Sequence, residues 1–313
     1  MNGPVASIII PVFNRPGDLA HVLEQLKAQR RCDFEVVVVD DGSEPPVSVD
    51  SLPGGWTYPL KIVRHERRCG VGSARNTGIT AAGSDLIVFV DSDGDIADPD
   101  WFGKHMSLRR EAAVMASRTG KELYVLHSEV QGISQTYWGR TDTYSNWFGS
   151  VLTAACEIHD RHVPTHNTSA HRRVFEQAGL FDEGLEVCED VEWSFRCRDK
   201  GIALLFMPGA PLGHFDRTVF REVWRHYRRF GLFARRVREK QGHSSYEWLF
   251  PKGILSAVLL FLPLTCLMTA YITGCWLRRD PKVLYYLPGL YLANVAYYAG
   301  LWQDIGATGK KVP

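Results

Sequence analysis

From residue 5 to about 91, short runs of β-branched residues alternate with segments of helical periodicity, the pattern of an α/β fold. Ser7-Ile8-Ile9-Ile10-Pro11-Val12 reads as a strand, and Leu19, Val22, Leu23 and Leu26 follow at helical spacing after the breaker Pro16-Gly17. The unbroken Val36-Val37-Val38-Val39 suits a strand covered on both faces, as in a parallel sheet. Leu60 to Arg64 is a weaker strand, Val71 to Ala82 a helix, and Leu86 to Val90 a strongly apolar strand. The next stretch, to about 216, is less regular: strands are predicted near 123–125 and 203–206, helices near 171–178 and 189–199.

The C-terminal pattern changes. Gly253 to Trp276 holds no charged residue, and as a helix it would be about 36 Å long, more than the ~30 Å hydrocarbon core. Val283 to Trp302 is a second uncharged stretch, interrupted by Pro288-Gly289. Both are predicted membrane segments, with a lean toward two spans. That topology puts Arg278, Arg279 and Lys282 opposite the rest of the chain, against the positive-inside tendency, whereas a re-entrant hairpin would not. Before them, nine Arg and Lys residues crowd 217–240 against Glu222 and Glu239, with Val223, Trp224, Tyr227 and Phe230 at helical spacing between. This predicts a basic amphipathic helix that either lies on an anionic membrane surface or packs its apolar side on the protein.

Composition narrows the options. The chain has 313 residues, 45% hydrophobic and 23% charged, which excludes a disordered linker or a small disulfide scaffold. A net charge of +1 gives no reason to propose nucleic acid as a partner. Seven scattered cysteines form no Cys-x-x-Cys pair, as expected of reduced thiols in the cytosol. The first residues lack a basic n-region and a long apolar run, so export is not expected.

Each strong strand ends in polar residues: Asn14-Arg15, Asp40-Asp41-Gly42-Ser43, and Asp91-Ser92-Asp93-Gly94-Asp95. In open α/β sheets, ligands bind at these carboxyl ends. Several carboxylates packed after a buried strand repel one another unless a hard cation or solvent relieves them. The acidic cluster is not an EF-hand, since the sixth position is Ile96 and the twelfth Phe102. A solvated turn and a metal site both remain. Gly70-Val71-Gly72 lacks the third glycine of a dinucleotide fingerprint, where Arg75 stands, and no P-loop is present. Glu189-Asp190 opens a predicted helix, where carboxylates favour the N-terminal dipole; the functional alternative is a general base. His159, His162, His166 and His171 read as an exposed polar segment, and His214 as a lone histidine.

Taken in order, Ile10-Pro11-Val12-Phe13-Asn14-Arg15, Val39-Asp40-Asp41-Gly42-Ser43, Gly72-Ser73-Ala74-Arg75-Asn76-Thr77-Gly78, Asp91-Ser92-Asp93 and the block from Phe181 through Glu189-Asp190 to Arg196 resemble the inverting family 2 glycosyltransferases. The resemblance covers residues 5 to about 216 and implies the GT-A fold, a nucleotide-sugar-binding mixed sheet flanked by helices. It implies that Pro11, Asp41, Arg75 and Asp91 bind a nucleotide sugar with uridine as the expected base, that Asp93 and His214 hold Mg²⁺ or Mn²⁺, and that Asp190 is the catalytic base. Glu189 and Arg15 fall beside the acceptor or behind these residues. Gly94 departs from the family pattern, which carries another acidic residue there. The expected organisation is a catalytic domain at 1–216 (nucleotide-binding half 1–95, acceptor-side half 96–216), a basic amphipathic segment at 217–250, and two membrane segments within 251–313. Such an enzyme would sit on the bacterial inner membrane with its catalytic domain in the cytoplasm, moving a sugar to a glycan or lipid-linked acceptor. Transfer to polyprenyl phosphate, or a nucleotide-sugar-binding membrane scaffold without turnover, are the alternatives.

Overall fold

A computed structural model describes residues 3–52, 54–152, 154–159, 161–241 and 253–303 of the chain. Its strands are β1 (Ala6–Val12), β2 (Phe34–Asp40), β3 (Leu60–Arg64), β4 (Leu86–Phe89), β5 (Gly94–Asp95), β6 (Tyr124–His127), β7 (Val130–Gly132), β8 (Cys156–Glu157), β9 (Thr168–His171), β10 (Ala203–Phe206) and β11 (Leu212–His214). The α-helices are α1 (Pro16–Lys27), α2 (Val71–Ala81), α3 (Trp101–Arg118), α4 (Tyr137–Asn146), α5 (Arg172–Ala178), α6 (Glu189–Asp199), α7 (Phe220–Gln241), α8 (Ile254–Leu277) and α9 (Leu287–Trp302). The chain divides into two compact units, residues 1–131 with 152–214, and residues 132–151 with 215–313.

The first unit is built on an eight-stranded mixed sheet ordered β3-β2-β1-β4-β9-β6-β10-β8. β3, β2, β1 and β4 run parallel; the apolar runs of β2, β1 and β4 are buried on both faces, while β3 at the edge is only half-buried. Leu19, Val22, Leu23 and Leu26 of α1 and Trp101 and Phe102 of α3 cover one face. Ile79 of α2, Val174 and Phe175 of α5 and Trp193 of α6 cover the other. α1 begins with Pro16, whose missing N–H would be unsatisfied in a first turn anyway. Gly78 is required where α2 meets the sheet, because a Cβ there would lie 2.4 Å from Ile9 Cγ2.

β9 is inserted antiparallel between β4 and β6, and it replaces the exposed polar segment expected around the histidines. Thr168 and Ser169 are fully buried, with hydroxyls spoken for: Ser169 Oγ lies 2.8 Å from His105 Nε2 and 3.0 Å from Arg109 Nη1, and Thr168 Oγ1 donates to Pro164 O at 2.6 Å. Burial pushes His105 down to about 3, so the network is neutral on its histidine side at physiological pH. Of the expected series His166 is buried, while the side chain of His159 is 73% exposed.

In the second unit, α9 lies between α7 and α8. Its Ala293 and Ala296 meet Val223 and Tyr227 of α7, and its Tyr298 and Leu301 meet Leu264 of α8. Val223 and Tyr227, on the apolar side of the basic helix, are therefore covered by α9. Residues 242–250 of the predicted basic segment and 304–313 beyond the second hydrophobic stretch lie outside the described residues. Residues 132–151, expected within the catalytic domain, group here: Tyr144 of α4 is buried against Trp276 and Tyr286, with ring centroids 5.2 and 5.3 Å away. Among the described residues, α8 is the one helix long and apolar enough to cross a membrane, by length and composition. α9, with 16 residues, is about 24 Å long and falls short of a ~30 Å core.

Candidate active site

The loop ends of β1, β2 and β4 meet α2 and the start of α6 at the carboxyl edge of the parallel strands. Asn14, at a φ of 54°, ties the first two loops together: its N–H donates to Ser43 Oγ at 2.9 Å and its Oδ1 accepts from Glu44 N at 2.8 Å. Asparagine tolerates this left-handed conformation better than most residues. Asp40 is fully buried, and burial alone would raise its pKa. Hydrogen bonds from Ser43 and Val47 N–H, and the Arg64 guanidinium, outweigh that and hold it below the usual carboxylate range.

Asp41 accepts from Cys69 N at 2.8 Å and Gly70 N at 2.9 Å, and meets His65 Nδ1 at 2.7 Å. It thus holds the turn that starts α2. Asp41, His65 and Cys69 also place one ligand atom each within 4.8 Å of one another, as a metal site requires. Both His65 nitrogens are engaged, the second by Thr77 Oγ1 at 2.9 Å, so the trio closes on itself through hydrogen bonds. Pro11 is buried inside β1 opposite Val39. Phe13, just past it, carries the Arg68 guanidinium 4.7 Å above its ring.

α2 supplies the clamp. Asn76 donates to Phe181 O and Glu183 Oε1, both at 2.9 Å, and accepts from Phe181 N at 2.9 Å, fixing the loop that leads to α6. Arg75, almost wholly buried, bridges two acids: Nη2 donates to Asp91 Oδ1 at 2.7 Å and Nη1 to Glu189 Oε1. Its planar fork suits two carboxylates better than an ammonium would. α6 starts after Cys188, whose φ of 66° is rare for a residue with a Cβ, so Glu189 and Asp190 stand in the first turn. Burial raises the pKa of both carboxyls, their mutual repulsion adds to the shift at Glu189, and Arg75 opposes it at each. Asp190 also accepts from Val191 N–H at 2.8 Å.

At the acidic cluster, β11 pairs with β5 so that His214 stands opposite Gly94. His214 Nε2 lies 3.7 Å from Asp93 Oδ1, a separation that lets both ligate one ion at about 2.1 Å each. A carboxylate oxygen and an imidazole nitrogen form a mixed donor pair that suits divalent transition metals, Mn²⁺ among them. Arg15 Nη1 reaches Asp93 Oδ2 at 2.9 Å, and Asp95 turns away to His21 at 2.8 Å. The sequence-predicted residues thus form two contact groups, Arg15 and His214 on Asp93, and Asp91 and Glu189 on Arg75 with Asp190 beside Glu189, while Asp41 is tied to the turn before α2.

One residue was missed. His166 accepts from Asp91 N–H at 3.0 Å through Nδ1, donates from Nε2 to Gly213 O at 3.2 Å, and stacks edge-on to His214 at 5.7 Å. Burial lowers its pKa, consistent with the neutral tautomer these bonds require. It also accounts for Gly94: a Cβ there would lie 2.8 Å from His166 Cε1 and 3.1 Å from Asp91 O. Gly94 and His166 are one arrangement in this chain. The histidine series drew attention to it in sequence, but its irregular spacing gave no sign that His166 is buried.

The sequence model of the family described as Glycosyl transferase family 2 matches residues 7–178, more than half of the chain, and the chain belongs to that family. The match ends before Asp190 and His214. The chain is 26% identical over 305 residues to the O-antigen biosynthesis protein RfbC of Myxococcus xanthus, covering 89% of this chain and 21% of that protein. It is 27% identical over 239 residues to the glycosyltransferase AglE of Haloferax volcanii, covering 71% and 74%. The chain spans less than half the length of the first curated relatives it matches. Among solved structures, the mannosyltransferase PcManGT from Pyrobaculum calidifontis, in complex with GDP-Man and Mn²⁺, superposes with a TM-score of 0.55 at 15% identity, over 96% of this chain and 86% of that one. The likeness places the first unit in the GT-A fold.

Proposed function

We propose that the chain is an inverting glycosyltransferase that moves a sugar from a nucleoside-diphosphate donor, with UDP-sugar as the expected class, to a hydroxyl of a glycan or lipid-linked acceptor. The observation that carries it is the bridge from Asp91 through Arg75 to Glu189, because it brings the acidic cluster and the Glu189-Asp190 pair to one edge of the sheet. Asp190 accepts the acceptor's proton as its oxygen bonds to the anomeric carbon and the bond to the diphosphate breaks on the opposite face. A carboxylate whose pKa is raised is a stronger base, and that suits a weakly acidic alcohol. Arg75 holds Asp91 and Glu189 so that neither drifts toward the reacting centre. Asp93 and His214 would hold Mg²⁺ or Mn²⁺, which when bound offsets charge on the departing diphosphate.

The relative named for O-antigen biosynthesis and the apolar α8 support an acceptor of cell-surface polysaccharide type, used at the inner membrane with the first unit in the cytoplasm. A panel of nucleotide sugars with Mn²⁺, scored for released nucleoside diphosphate, tests the donor and the metal together. Asp190→Asn is expected to keep donor binding and lose turnover by about 10² to 10⁴. Turnover by Asp93→Ala at the wild-type rate would remove the metal assignment.

A further inference from the structure

The second unit is built inside out along α8. Thr265, Thr269 and Thr273 stand one turn apart and are buried, each hydroxyl donating to the carbonyl four residues earlier at 2.7–2.8 Å. Asn294 of α9, also buried, donates to Thr269 Oγ1 at 3.1 Å. On the outside, Leu255, Val258, Leu259, Leu262 and Leu267 are 74%, 68%, 66%, 58% and 52% exposed. A helix folded in water puts such residues the other way round. Polar atoms satisfied within and leucines without are what hydrocarbon selects, since lipid offers no hydrogen bonds.

The orientation follows from α9. Its residues 290–301 meet α8 over 264–272 on one side and α7 over 223–227 on the other. α7 and α9 approach so closely at Gly231 and Gly300 that a Cβ on either would lie 1.8 Å from a backbone oxygen of the other helix. Arg225 and Arg228 of α7 are therefore level with the middle of α8. Were α8 upright across a bilayer, those guanidinium groups would stand at mid-depth, where arginine is least tolerated. The other end of α8 is tied to polar protein: Asp280 accepts from Arg140 and Tyr144 of α4, each at 2.6 Å.

We propose that α8 lies in the plane of the membrane, its exposed Leu255–Leu259–Leu262–Cys266 face sunk among the acyl chains of one leaflet and its Leu264–Met268–Ile272 side turned up to α9, so that the protein is anchored to one leaflet and spans nothing. The inference rests on the membrane attachment proposed above and replaces the two-span topology. The basic α7 in the same unit favours a leaflet with anionic headgroups.

The test uses the full chain with single spin labels at 255, 262, 266, 270 and 277, bound to vesicles of phosphatidylcholine and phosphatidylglycerol. Relative accessibility to oxygen and to a water-soluble nickel chelate reports depth. The expected profile is flat, with every label at a similar shallow depth of about 5–10 Å. A profile deepest at 266 and shallow at both ends would mean a span and overturns the proposal. In parallel, Leu259→Glu/Leu262→Glu is expected to lower vesicle co-flotation by about tenfold or more, with release of nucleoside diphosphate in solution unchanged. Unchanged flotation, or a wild-type dimer in buffer that the double variant dissolves, overturns it as well. Depth is read without turnover, so this proposal and the enzymatic one fail separately.

Discussion

Arg75 sits between Asp91 and Glu189 with almost no access to water, so removing its charge leaves two acids facing each other unrelieved. Arg75→Met is expected to cost about 3–5 kcal/mol of stability, the range for breaking a buried ion pair from one side, measurable by urea denaturation. The same residue sets the pH profile. Burial raises the Glu189 and Asp190 pKa values and Arg75 lowers them. A base must be deprotonated to act, so the rate should fall as pH drops through a value above the ordinary carboxylate range. Arg75→Met, where it folds, should move that acid limb to higher pH; a limb that stays put would contradict the assignment of Asp190. At Gly94 the contact with His166 makes a further expectation. Gly94→Ala should destabilise by about 1–3 kcal/mol through overpacking, and His166→Ala should recover part of the loss in the double variant. Costs that simply add would show the two do not compete for space.

At the scale of elements, α1, α2, α6, β1, β2, β3 and β4 were legible because water decides their periodicity: apolar runs for doubly covered strands, three-and-four spacing for helices. β9 was not, since the hydroxyl of its buried Ser169 is satisfied by His105 and Arg109, contacts 64 and 60 residues away in sequence. β5 and β11 were too short to carry a pattern, and with them went the position of His214 opposite Gly94. The acidic residues of the site announced themselves at strand ends; His166 did not, because only the folded sheet brings it under Asp91. The basic helix shows the limit of a moment argument: periodicity predicts an apolar side without saying what covers it, and α9 covers it here. Gly231 and Gly300 make that cover tight. Gly231→Val should lower the melting temperature of the second unit by several degrees, while a conservative change at exposed Arg225 should leave it unmoved.

For the whole molecule, the second unit is assembled from two stretches of chain separated by residues 152–214. Asp142 shows the dependence: fully buried, it accepts from Arg217 N at 2.9 Å, Arg217 Nη1 at 3.0 Å and Tyr227 Oη at 2.9 Å. Ending the chain at 216 would leave that carboxylate and the Tyr144 ring without their partners. Limited proteolysis of such a truncated chain should cut first within 132–151, and a resistant fragment there would contradict the division into units. The arrangement also constrains how the gene can change. A tail joined at one point can be gained or replaced by a single recombination, but this unit needs its twenty-residue insert and its C-terminal helices to arrive together. Exchange with a relative at one junction would pair α4 with foreign helices, so lineages carrying this architecture should inherit both pieces from the same ancestor.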